Sequence, residues 1–380
     1  MLIERTLTDN IKHSLQPGKV VIIQGARRTG KTTIVKEVIK DYPIDDLLYI
    51  DGEDVRFYDQ LSSRRLDTLA GLIGDKKLLV IDEAQKIPNI GTSLKIIVDS
   101  MPELKILVTG SSVLGIKDRV GAPLLGRAWT FMLFPLSYGE IKNSSEVPAL
   151  THYKLDELLR YGSYPEVIKT PGNQDKEAYL IELTNQYLYR DIVDLRLVNE
   201  PLLLRKVLEL LALQVGSEVS IQEMAGKLNV NRLTVQRYID LLEASFIVFR
   251  LGSLRRNLRN EVTKYGKYFF WDLGIRNALI GQFNSPDVRS DMGALWENFC
   301  IVERRKKTQQ PPAYFHDYFW RLQGGSEIDY VEESGGMLSG FEMKWSKKKK
   351  SKPPAIWKQT YENSSYNVIN PDNFETFLGS

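Results

Sequence analysis

A glycine-rich segment near the amino end has the residue types and the spacing needed to hold a polyphosphate. Residues 25–33 read Gly-Ala-Arg-Arg-Thr-Gly-Lys-Thr-Thr, fit the pattern G-x-x-x-x-G-K-[ST], and follow the apolar residues 20–23. Such a loop wraps phosphate oxygens with backbone N–H groups, while the positive end of the next helix points at them. Lys31 reaches the β- and γ-phosphates, and the hydroxyl of Thr32 holds Mg²⁺. The predicted nucleotide-binding residues are Gly25, Arg28, Thr29, Gly30, Lys31, Thr32 and Thr33.

Two adjacent acids end another apolar run and add hydrolytic chemistry. Residues 78–81 read Leu-Leu-Val-Ile and lead into Asp82 and Glu83. If the two strands are neighbours, both acids lie beside the phosphate loop. Asp82 is then the second Mg²⁺ partner, and Glu83 orients and deprotonates the water that attacks the γ-phosphate. The set predicts Mg²⁺-dependent hydrolysis of ATP, with an ordinary acidic strand end as the alternative.

Hydroxyl side chains follow a third apolar run. Residues 105–108 lead into Thr109 and Ser111, at the position where a γ-phosphate sensor stands in such a sheet. Ser111 is the first choice for this catalytic role, and Thr109 is the second. The alternative is that both residues form a turn and cap the next helix.

The elements that position these residues are short apolar runs separated by helical stretches. The runs cover residues 20–24, 47–50, 78–81, 105–108 and 129–134. Such alternation predicts an α/β domain over residues 1–135, with a parallel sheet covered by helices. Ligands of such sheets bind at the carboxyl ends of the strands, where the glycine loop and the acids lie.

The composition excludes several classes of protein. The 380 residues include 51 Lys and Arg against 48 Asp and Glu, so the overall charge indicates no polyanionic partner. Cys300 is the single cysteine and there are three histidines, which excludes an internal disulfide and a cysteine-based zinc site. No apolar run approaches the length of a membrane span, and the first residues lack a signal-peptide core. We therefore expect a cytoplasmic protein without membrane contact.

The motifs together resemble one family of AAA-type ATPases. They are residues 25–33, 82–85 and 109–112, and then 125–127 running into 134–137. The family occurs in bacteria and archaea, and its C-terminal half is a poorly characterised domain that resembles PD-(D/E)XK nucleases. The resemblance implies a P-loop NTPase fold of the AAA/RecA-like type, followed by further domains over nearly the whole chain.

The same resemblance implies a role for Arg127. It is a candidate arginine finger or sensor that completes the catalytic site of a neighbouring subunit, so we expect a homo-oligomer. A second cation near the γ-phosphate would stabilise charge in the transition state. The alternative is a surface arginine that precedes an edge strand.

The middle of the chain predicts a helical connector and then a winged helix. Residues 136–200 have a helical pattern, without chemistry that the residues reveal. Residues 220–223 form a capping box that opens a short helix, and Asn231 caps a second helix that runs to about residue 245. Strand-like residues 246–251 and 268–272 supply a wing hairpin. We therefore expect a winged helix-turn-helix domain over residues 201–285.

This winged helix has two possible uses. Arg232, Gln236 and Asp240 share the outward face of the second helix, and further arginines lie in or near the wing: Arg250, Arg255, Arg256 and Arg259. The arginines and the start of the helix favour contacts with DNA phosphates and base edges. The acids on the helix favour contacts with a protein partner or another subunit. DNA is therefore a candidate partner, and both uses stay open.

The C-terminal part carries a second set of chemical residues. An amphipathic helix contains Glu297, and Asp329 lies on a strand whose neighbour carries Glu342 and Lys344. An acid on one strand and E-x-K on the next resembles the PD-(D/E)XK nuclease core, in which carboxylates hold Mg²⁺ and the lysine stabilises charge or activates water. Glu297 is an additional metal ligand in this interpretation. Ile328 replaces the proline of the motif, and alternating charges on a half-exposed hairpin are the alternative.

The sequence thus supports two functions. The first is a Mg²⁺-dependent ATPase that acts on DNA through the winged helix and an α/β, restriction-endonuclease-like domain over residues 286–380, aided by the lysines at 347–350 and Lys352 if these are not merely a solvated loop. The second is an ATP-dependent switch or scaffold for protein partners, in which the nuclease-like domain binds without cutting. A nucleotide kinase also has a P-loop, but Asp82, Glu83 and the appended domains argue against it.

Overall fold

The computed structural model describes residues 3–111, 124–144, 155–187, 200–254, 266–308, 315–322, 325–346 and 351–379. Several residues singled out above lie outside this part of the chain, namely Ser112, Arg255, Arg256, Arg259 and the lysines at 347–350. The chain divides into two units, Met1–Leu136 with Ala244–Phe246, and Ser137–Glu243 with Ile247–Ser380.

The first unit alternates helices and strands. Its elements are α1 (Leu7–Ser14), β1 (Val20–Gln24), α2 (Lys31–Ile39), β2 (Leu47–Asp51), α3 (Tyr58–Leu61), α4 (Leu66–Ile73), β3 (Leu78–Asp82), α5 (Ile90–Ser100), β4 (Lys105–Gly110) and β5 (Ala128–Met132). Within the described residues, its strands form one parallel sheet in the order β2, β3, β4, β1, β5. The predicted parallel sheet is confirmed.

Both faces of the central strands of this sheet are buried, which explains the unbroken apolar stretches at their centres. Val20 and Ile22 of β1 pack into one core together with residues of α4 and α5. Val21 and Ile23 point the other way and pack with α1 and α2. Successive side chains of a strand alternate between faces, so only a sheet covered on both sides buries all of them.

The sheet order corrects one expectation. β4 lies between β1 and β3, so the strand that ends in Asp82 is not the neighbour of the strand that leads into the glycine loop. All strands are parallel, however, and their carboxyl ends therefore meet at one edge. The acids still reach the loop across β4, because Asp82 is the last residue of β3.

The second unit combines a helical part with a larger sheet. Its elements are α6 (Tyr138–Lys142), α7 (Leu155–Tyr161), α8 (Pro165–Lys169), α9 (Asn173–Glu182), α10 (Pro201–Leu213), β6 (Glu218–Val219), α11 (Ile221–Leu228), α12 (Arg232–Ala244), β7 (Val248–Ser253), β8 (Gly266–Phe270), α13 (Leu273–Leu279), α14 (Met292–Thr308), β9 (His316–Arg321), β10 (Glu327–Ser334), β11 (Met337–Met343), α15 (Ala355–Thr360), β12 (Ser364–Ile369) and α16 (Phe374–Leu378).

Helices α11 and α12 begin at the predicted capping residues Ser220 and Asn231, although one half of the predicted capping box is missing. The Ser220 hydroxyl accepts the backbone N–H of Glu223 at 3.2 Å, and the Asn231 side chain accepts that of Leu233 at 2.8 Å. The Glu223 carboxylate pairs with Lys227 one turn later, and only the Ser220 half of the predicted capping box is seen. The helix boundaries agree with the prediction because one such bond suffices to satisfy an orphan N–H group.

One sheet runs through the second unit. Among the described residues its order is β12, β11, β10, β9, β7, β8, β6. β6, β8 and β7 are antiparallel, β7 pairs in parallel with β9 at Gly252 and Ser253, and β9, β10 and β11 are again antiparallel. A hairpin turn at Gly335 and Gly336 joins β10 to β11, and both glycines have positive φ. The predicted boundary between residues 285 and 286 therefore falls inside one unit, and the four-domain division stays a prediction.

Large aromatic side chains fill the core of this unit. Trp320 and Trp357 pack edge to face with ring centroids 5.3 Å apart, and Trp296 is fully buried on α14.

No helix in the described segments combines the length and the apolar character needed to cross a membrane.

Candidate active site

The backbone of the glycine loop favours glycine at two positions, Gly25 and Gly30. A Cβ atom at position 25 would lie 2.1 Å from the carbonyl oxygen of Leu133, so Gly25 is required for packing as well as for access to a phosphate. Gly30 has φ +99° at the start of α2, a left-handed conformation that favours glycine. Arg28 also has positive φ, at +64°. The loop is therefore held in one conformation ahead of the helix.

Lys31 lies folded over the loop. Its Nζ donates to the carbonyl oxygens of Gly25 and Ala26 at 3.1 and 3.2 Å and lies 3.6 Å from Glu83 Oε1. Only 5% of the residue is exposed. The ammonium is thus positioned by the loop itself, at the edge of the sheet where a phosphate would bind.

Asp82 is the centre of a hydroxyl network. Its Oδ2 accepts hydrogen bonds from Thr32 Oγ1 at 2.7 Å and from the Tyr49 hydroxyl at 3.0 Å, and its Oδ1 accepts one from Thr109 Oγ1. The backbone N–H of Glu83 donates to Thr109 Oγ1 at 3.0 Å. Burial and the nearby Asp82 carboxylate raise the pKa of Tyr49, so its hydroxyl stays a donor.

These oxygens fit a magnesium ion. The Thr32 hydroxyl and the Asp82 carboxylate already lie within hydrogen-bond distance, and Mg²⁺ prefers such oxygen ligands together with phosphate oxygens. When bound, the ion would neutralise phosphate charge. The ligand roles of both residues stay predictions.

Glu83 adopts a left-handed conformation with φ +48°. That geometry costs a non-glycine residue about 1–2 kcal/mol and turns the side chain back toward Lys31. The amide nitrogen of Gln85 donates to Glu83 Oε2 and to Ser111 Oγ, the latter at 3.0 Å. Ser111, the predicted sensor, is therefore linked to the predicted base through Gln85, whereas Thr109 contacts Asp82 directly.

Arg127 lies away from this site. It precedes β5, which runs parallel to β1 with Ala128 in register with Val20, so it stands at the edge of the sheet opposite the glycine loop. Its Nε donates to Asp99 Oδ1 at 2.6 Å, and this pairing raises the pKa of Arg127 and lowers that of Asp99. Arg127 does not join the site of its own chain, and a role in a neighbouring subunit stays a prediction.

Three supporting residues had no signal in the sequence. Arg5 donates to the carbonyl oxygens of Thr29 at 3.0 Å and Phe134 at 2.6 Å, and so braces the loop against the segment after β5. A Cβ at Gly52 would lie 2.6 Å from the carbonyl oxygen of Asp82. Arg5, Gly52 and Tyr49 act through contacts between segments far apart in sequence, which a single sequence does not reveal.

The second unit brings together the predicted nuclease residues in part. Asp329 Oδ2 accepts the backbone N–H of Met343 at 2.7 Å, and Glu342 Oε1 accepts a hydrogen bond from Lys344 Nζ. Burial is the main cause that raises the pKa of both Asp329 and Glu342, and their mutual repulsion adds to the rise at Glu342. The pairing of β10 with β11 therefore places Asp329 close to Glu342 and Lys344.

Glu297, the predicted additional metal ligand, is paired with a lysine. Its Oε1 pairs with Lys267 Nζ at 2.9 Å, and burial raises its pKa to about 8. No group of three or more Asp, Glu, His or Cys side chains within the described ranges is arranged to hold a metal ion. Of the set Glu297, Asp329 and Glu342, Glu297 is thus engaged by a lysine ammonium, and the metal-ligand roles of the three residues stay predictions.

A cleft with both polar and apolar lining lies where helices α11 and α12 meet strands β7 and β8. Its volume is about 470 Å³, and its lining residues are Val219, Ile221, Gln222, Arg232, Gln236, Arg250, Gly266 and Tyr268. Gln236 also bonds Asp240 at 2.8 Å along the outward face of α12. Two arginines and two glutamines make this cleft suitable for an anionic, hydrogen-bonding surface.

Family comparisons agree with the loop and the sheet. Residues 17–142 match the family described as an AAA domain. Residues 152–286 and 292–375 match two families that are each described as a domain of unknown function, DUF8612 and DUF4143. The match supports a P-loop domain of the AAA type over residues 17–142. The other two matches carry no function.

Individual relatives extend over most of the chain. The uncharacterized protein Rv2008c of Mycobacterium tuberculosis is 28% identical over 350 residues, which cover 90% of this chain and 74% of that protein. The uncharacterized protein MJ1544 of Methanocaldococcus jannaschii is 25% identical over 326 residues, covering 80% and 70%. A STAND ATPase structure with a tetratricopeptide repeat sensor from Pyrococcus horikoshii covers 81% of this chain and 46% of that chain at 13% identity. The TM-score of this structural match is 0.32.

Proposed function

We propose that this chain hydrolyses ATP with Mg²⁺ in the cytoplasm, at the site formed by the glycine loop, Asp82 and Glu83. The observation that carries the proposal is the hydrogen bond of 2.7 Å from Thr32 to Asp82, made across β4 by residues far apart in sequence. Lys31 binds phosphate, and Glu83 takes a proton from the attacking water.

Two variants test the hydrolysis. Lys31→Ala removes the cation that binds the phosphates, and we expect loss of nucleotide binding or turnover. Glu83→Gln keeps the shape of the side chain without the base, and should lower the turnover number about 10²–10⁴-fold while ATP stays bound. Steady-state turnover and binding of a fluorescent ATP analogue measure the two effects.

The matched control is Glu53→Gln, an exposed glutamate of the same unit, which should change neither quantity. Full turnover in Lys31→Ala would sink the ATPase proposal.

We further propose that the chain couples this turnover to DNA through a winged helix. The order α10, β6, α11, α12, β7 and β8, with its three antiparallel strands, supports this interpretation, as does the cleft that contains Arg232 and Arg250. α12 would contact base edges and phosphates through its first residues.

A change at Arg232 tests the DNA contact. Arg232→Ala removes one cation from the cleft and should reduce the slope of log binding constant against log salt by about one. The measurement is fluorescence anisotropy with duplex DNA, together with DNA-stimulated ATP turnover. Arg205→Ala is the control, because Arg205 lies on α10, pairs with Glu209, and does not line the cleft. Equal salt slopes for both variants would show that Arg232 does not contact DNA and that DNA does not bind at this cleft.

A second candidate is an ATP-dependent switch or scaffold that recruits protein partners. The ion pair between Lys267 and Glu297 favours it, because the pair engages a carboxylate that metal-dependent cutting of DNA is predicted to use. DNA-independent ATP turnover and no cutting would support this candidate.

A further inference from the structure

Three acidic side chains of the second unit, Glu297, Glu327 and Asp329, form an acidic cluster around the ammonium group of Lys267. Its Nζ is 2.9 Å from Glu297 Oε1 and 2.5 Å from Glu327 Oε1, and 3% of its side chain is exposed. Asp329 adds a further attractive charge, and the ring centroid of Phe319 lies 5.5 Å from Nζ. The cation is therefore enclosed by the protein and has little contact with solvent.

Lys267 connects three separate elements. It lies on β8, whereas Glu297 belongs to α14 and Glu327 begins β10. Removing a buried cation leaves its carboxylate partners uncompensated in a poorly solvated place, which is strongly destabilising. The ammonium is therefore a fixed part of the folded unit.

The other groups of the predicted metal site are also engaged. The backbone N–H of Met343 binds Asp329, and Lys344 pairs with Glu342. Glu342 Oε2 is buried and has no hydrogen-bond partner in the described part of the chain. This oxygen is where a metal ion would be found if the cluster did bind one.

We propose that the Lys267 ammonium is the built-in cation of this cluster and takes the place of a divalent metal ion. One fixed positive charge offsets the negative charge that would attract Mg²⁺ or Mn²⁺. Its N–H donors also use a carboxylate oxygen of the predicted metal ligand Glu297, together with one of the neighbouring Glu327. The cluster therefore binds no divalent metal ion and does not cut phosphodiester bonds by a metal-dependent route.

This inference is separate from ATP hydrolysis and DNA binding, because it concerns metal binding at one cluster without nucleotide. Loss of the ATPase proposal would leave it standing, and its own failure would leave the ATPase proposal untouched.

Mn²⁺ binding to the full chain without nucleotide tests the proposal. Electron paramagnetic resonance measures free Mn²⁺ directly. The wild-type chain should have no site that depends on Asp329. Lys267→Met keeps the length of the side chain without its charge, and should gain one site with an affinity at least about tenfold above that of the wild type. Asp329→Asn in the Lys267→Met background should remove that site.

The matched control is Lys306→Met. Lys306 is also a buried lysine of the second unit and pairs with Glu303, so its loss reproduces the cost of removing a buried ammonium but should create no Mn²⁺ site. If Lys267→Met lacks native circular dichroism, Lys267→Gln, which keeps N–H donors without the charge and leaves every acid in place, carries the test.

Two results overturn the proposal. One is a Mn²⁺ site in the wild-type chain that disappears in Glu342→Gln. The other is a folded Lys267→Met chain that gains no site.

Discussion

Asp82 is oriented by three hydroxyl groups, from Thr32, Tyr49 and Thr109. A carboxylate whose partners are already in place needs little reorganisation when a metal ion binds, and such supporting hydrogen bonds tune metal affinity. Thr32 is itself a predicted metal ligand, whereas Tyr49 acts on the metal only through Asp82. Tyr49 is therefore a positioning residue, and its effect can be separated from catalysis.

Tyr49→Phe should weaken Mg²⁺ dependence more than catalysis. Loss of the hydroxyl should raise the Mg²⁺ concentration needed for half-maximal ATP turnover about tenfold, with kcat at saturating Mg²⁺ close to that of the wild type. The control is Tyr42→Phe, whose hydroxyl meets Lys105 at the start of β4, far from the carboxyl edge. A fall in kcat without a change in Mg²⁺ dependence would contradict the positioning role.

At this scale the sequence located the groups that belong to compact motifs. Lys31, Thr32, Asp82 and Glu83 meet at one edge of the sheet, as their spacing after apolar strands predicted. Their contributions to catalysis stay predictions. Lys267 was not singled out, because its partners come from α14 and β10 and only the folded sheet brings them together.

At the scale of elements, the alternation of apolar runs predicted a parallel sheet but not its order. Nothing in local sequence distinguishes β4 as the strand between β1 and β3, since all three have an apolar stretch followed by a polar end. The order matters for the site, because it places Thr109 of the central β4 within reach of Asp82.

Gly25 illustrates how an element constrains the loop. Gly25→Ala would force a Cβ to within 2.1 Å of the Leu133 carbonyl oxygen, so the backbone must shift. We expect a loss of stability of about 1–3 kcal/mol, and a Tm lower by about 2 °C or more, from thermal unfolding followed by circular dichroism.

Gly71→Ala is the matched control for this change. Gly71 lies inside α4 with no atom within 4 Å of an added Cβ, so alanine there should raise stability by about 0.5–1 kcal/mol. A Gly25→Ala chain as stable as the wild type would show that the loop adapts easily.

At the scale of the whole molecule, the family matches and the compact units divide the chain differently. The matches separate residues 152–286 from 292–375, whereas both belong to one unit with one sheet. Sequence patterns report the helices and strands of each part, but hydrogen bonds between β7 and β9 leave no periodic signal. The pairing of β7 with β9 is therefore a link between these two parts that sequence patterns do not reveal.

Assembly is the prediction that belongs to this scale. Because Arg127 stands at the edge opposite its own glycine loop, it can assist hydrolysis only from another subunit. Arg127→Ala alone should lower kcat about 10³-fold or more. Mixed with Lys31→Ala, it should regain measurable turnover, because a mixed assembly pairs an intact loop with an intact arginine.

Turnover of the equimolar mixture, compared with each variant alone, measures this complementation, and light scattering with and without ATP reports the assembly. Lys19→Ala is the control, since Lys19 lies near the same edge and bonds Gly126. Wild-type turnover in Arg127→Ala would show that Arg127 is a surface residue without a role in hydrolysis.

The Lys267 contacts also bear on how such a chain can change by recombination. The lysine comes from the part that matches one family, and its glutamate partners come from the part that matches the other. An exchange of residues 292–375 alone would bring in acids without their cation, or leave a buried ammonium without its acids. Either product would carry an unpaired buried charge, so the two parts are expected to be inherited together.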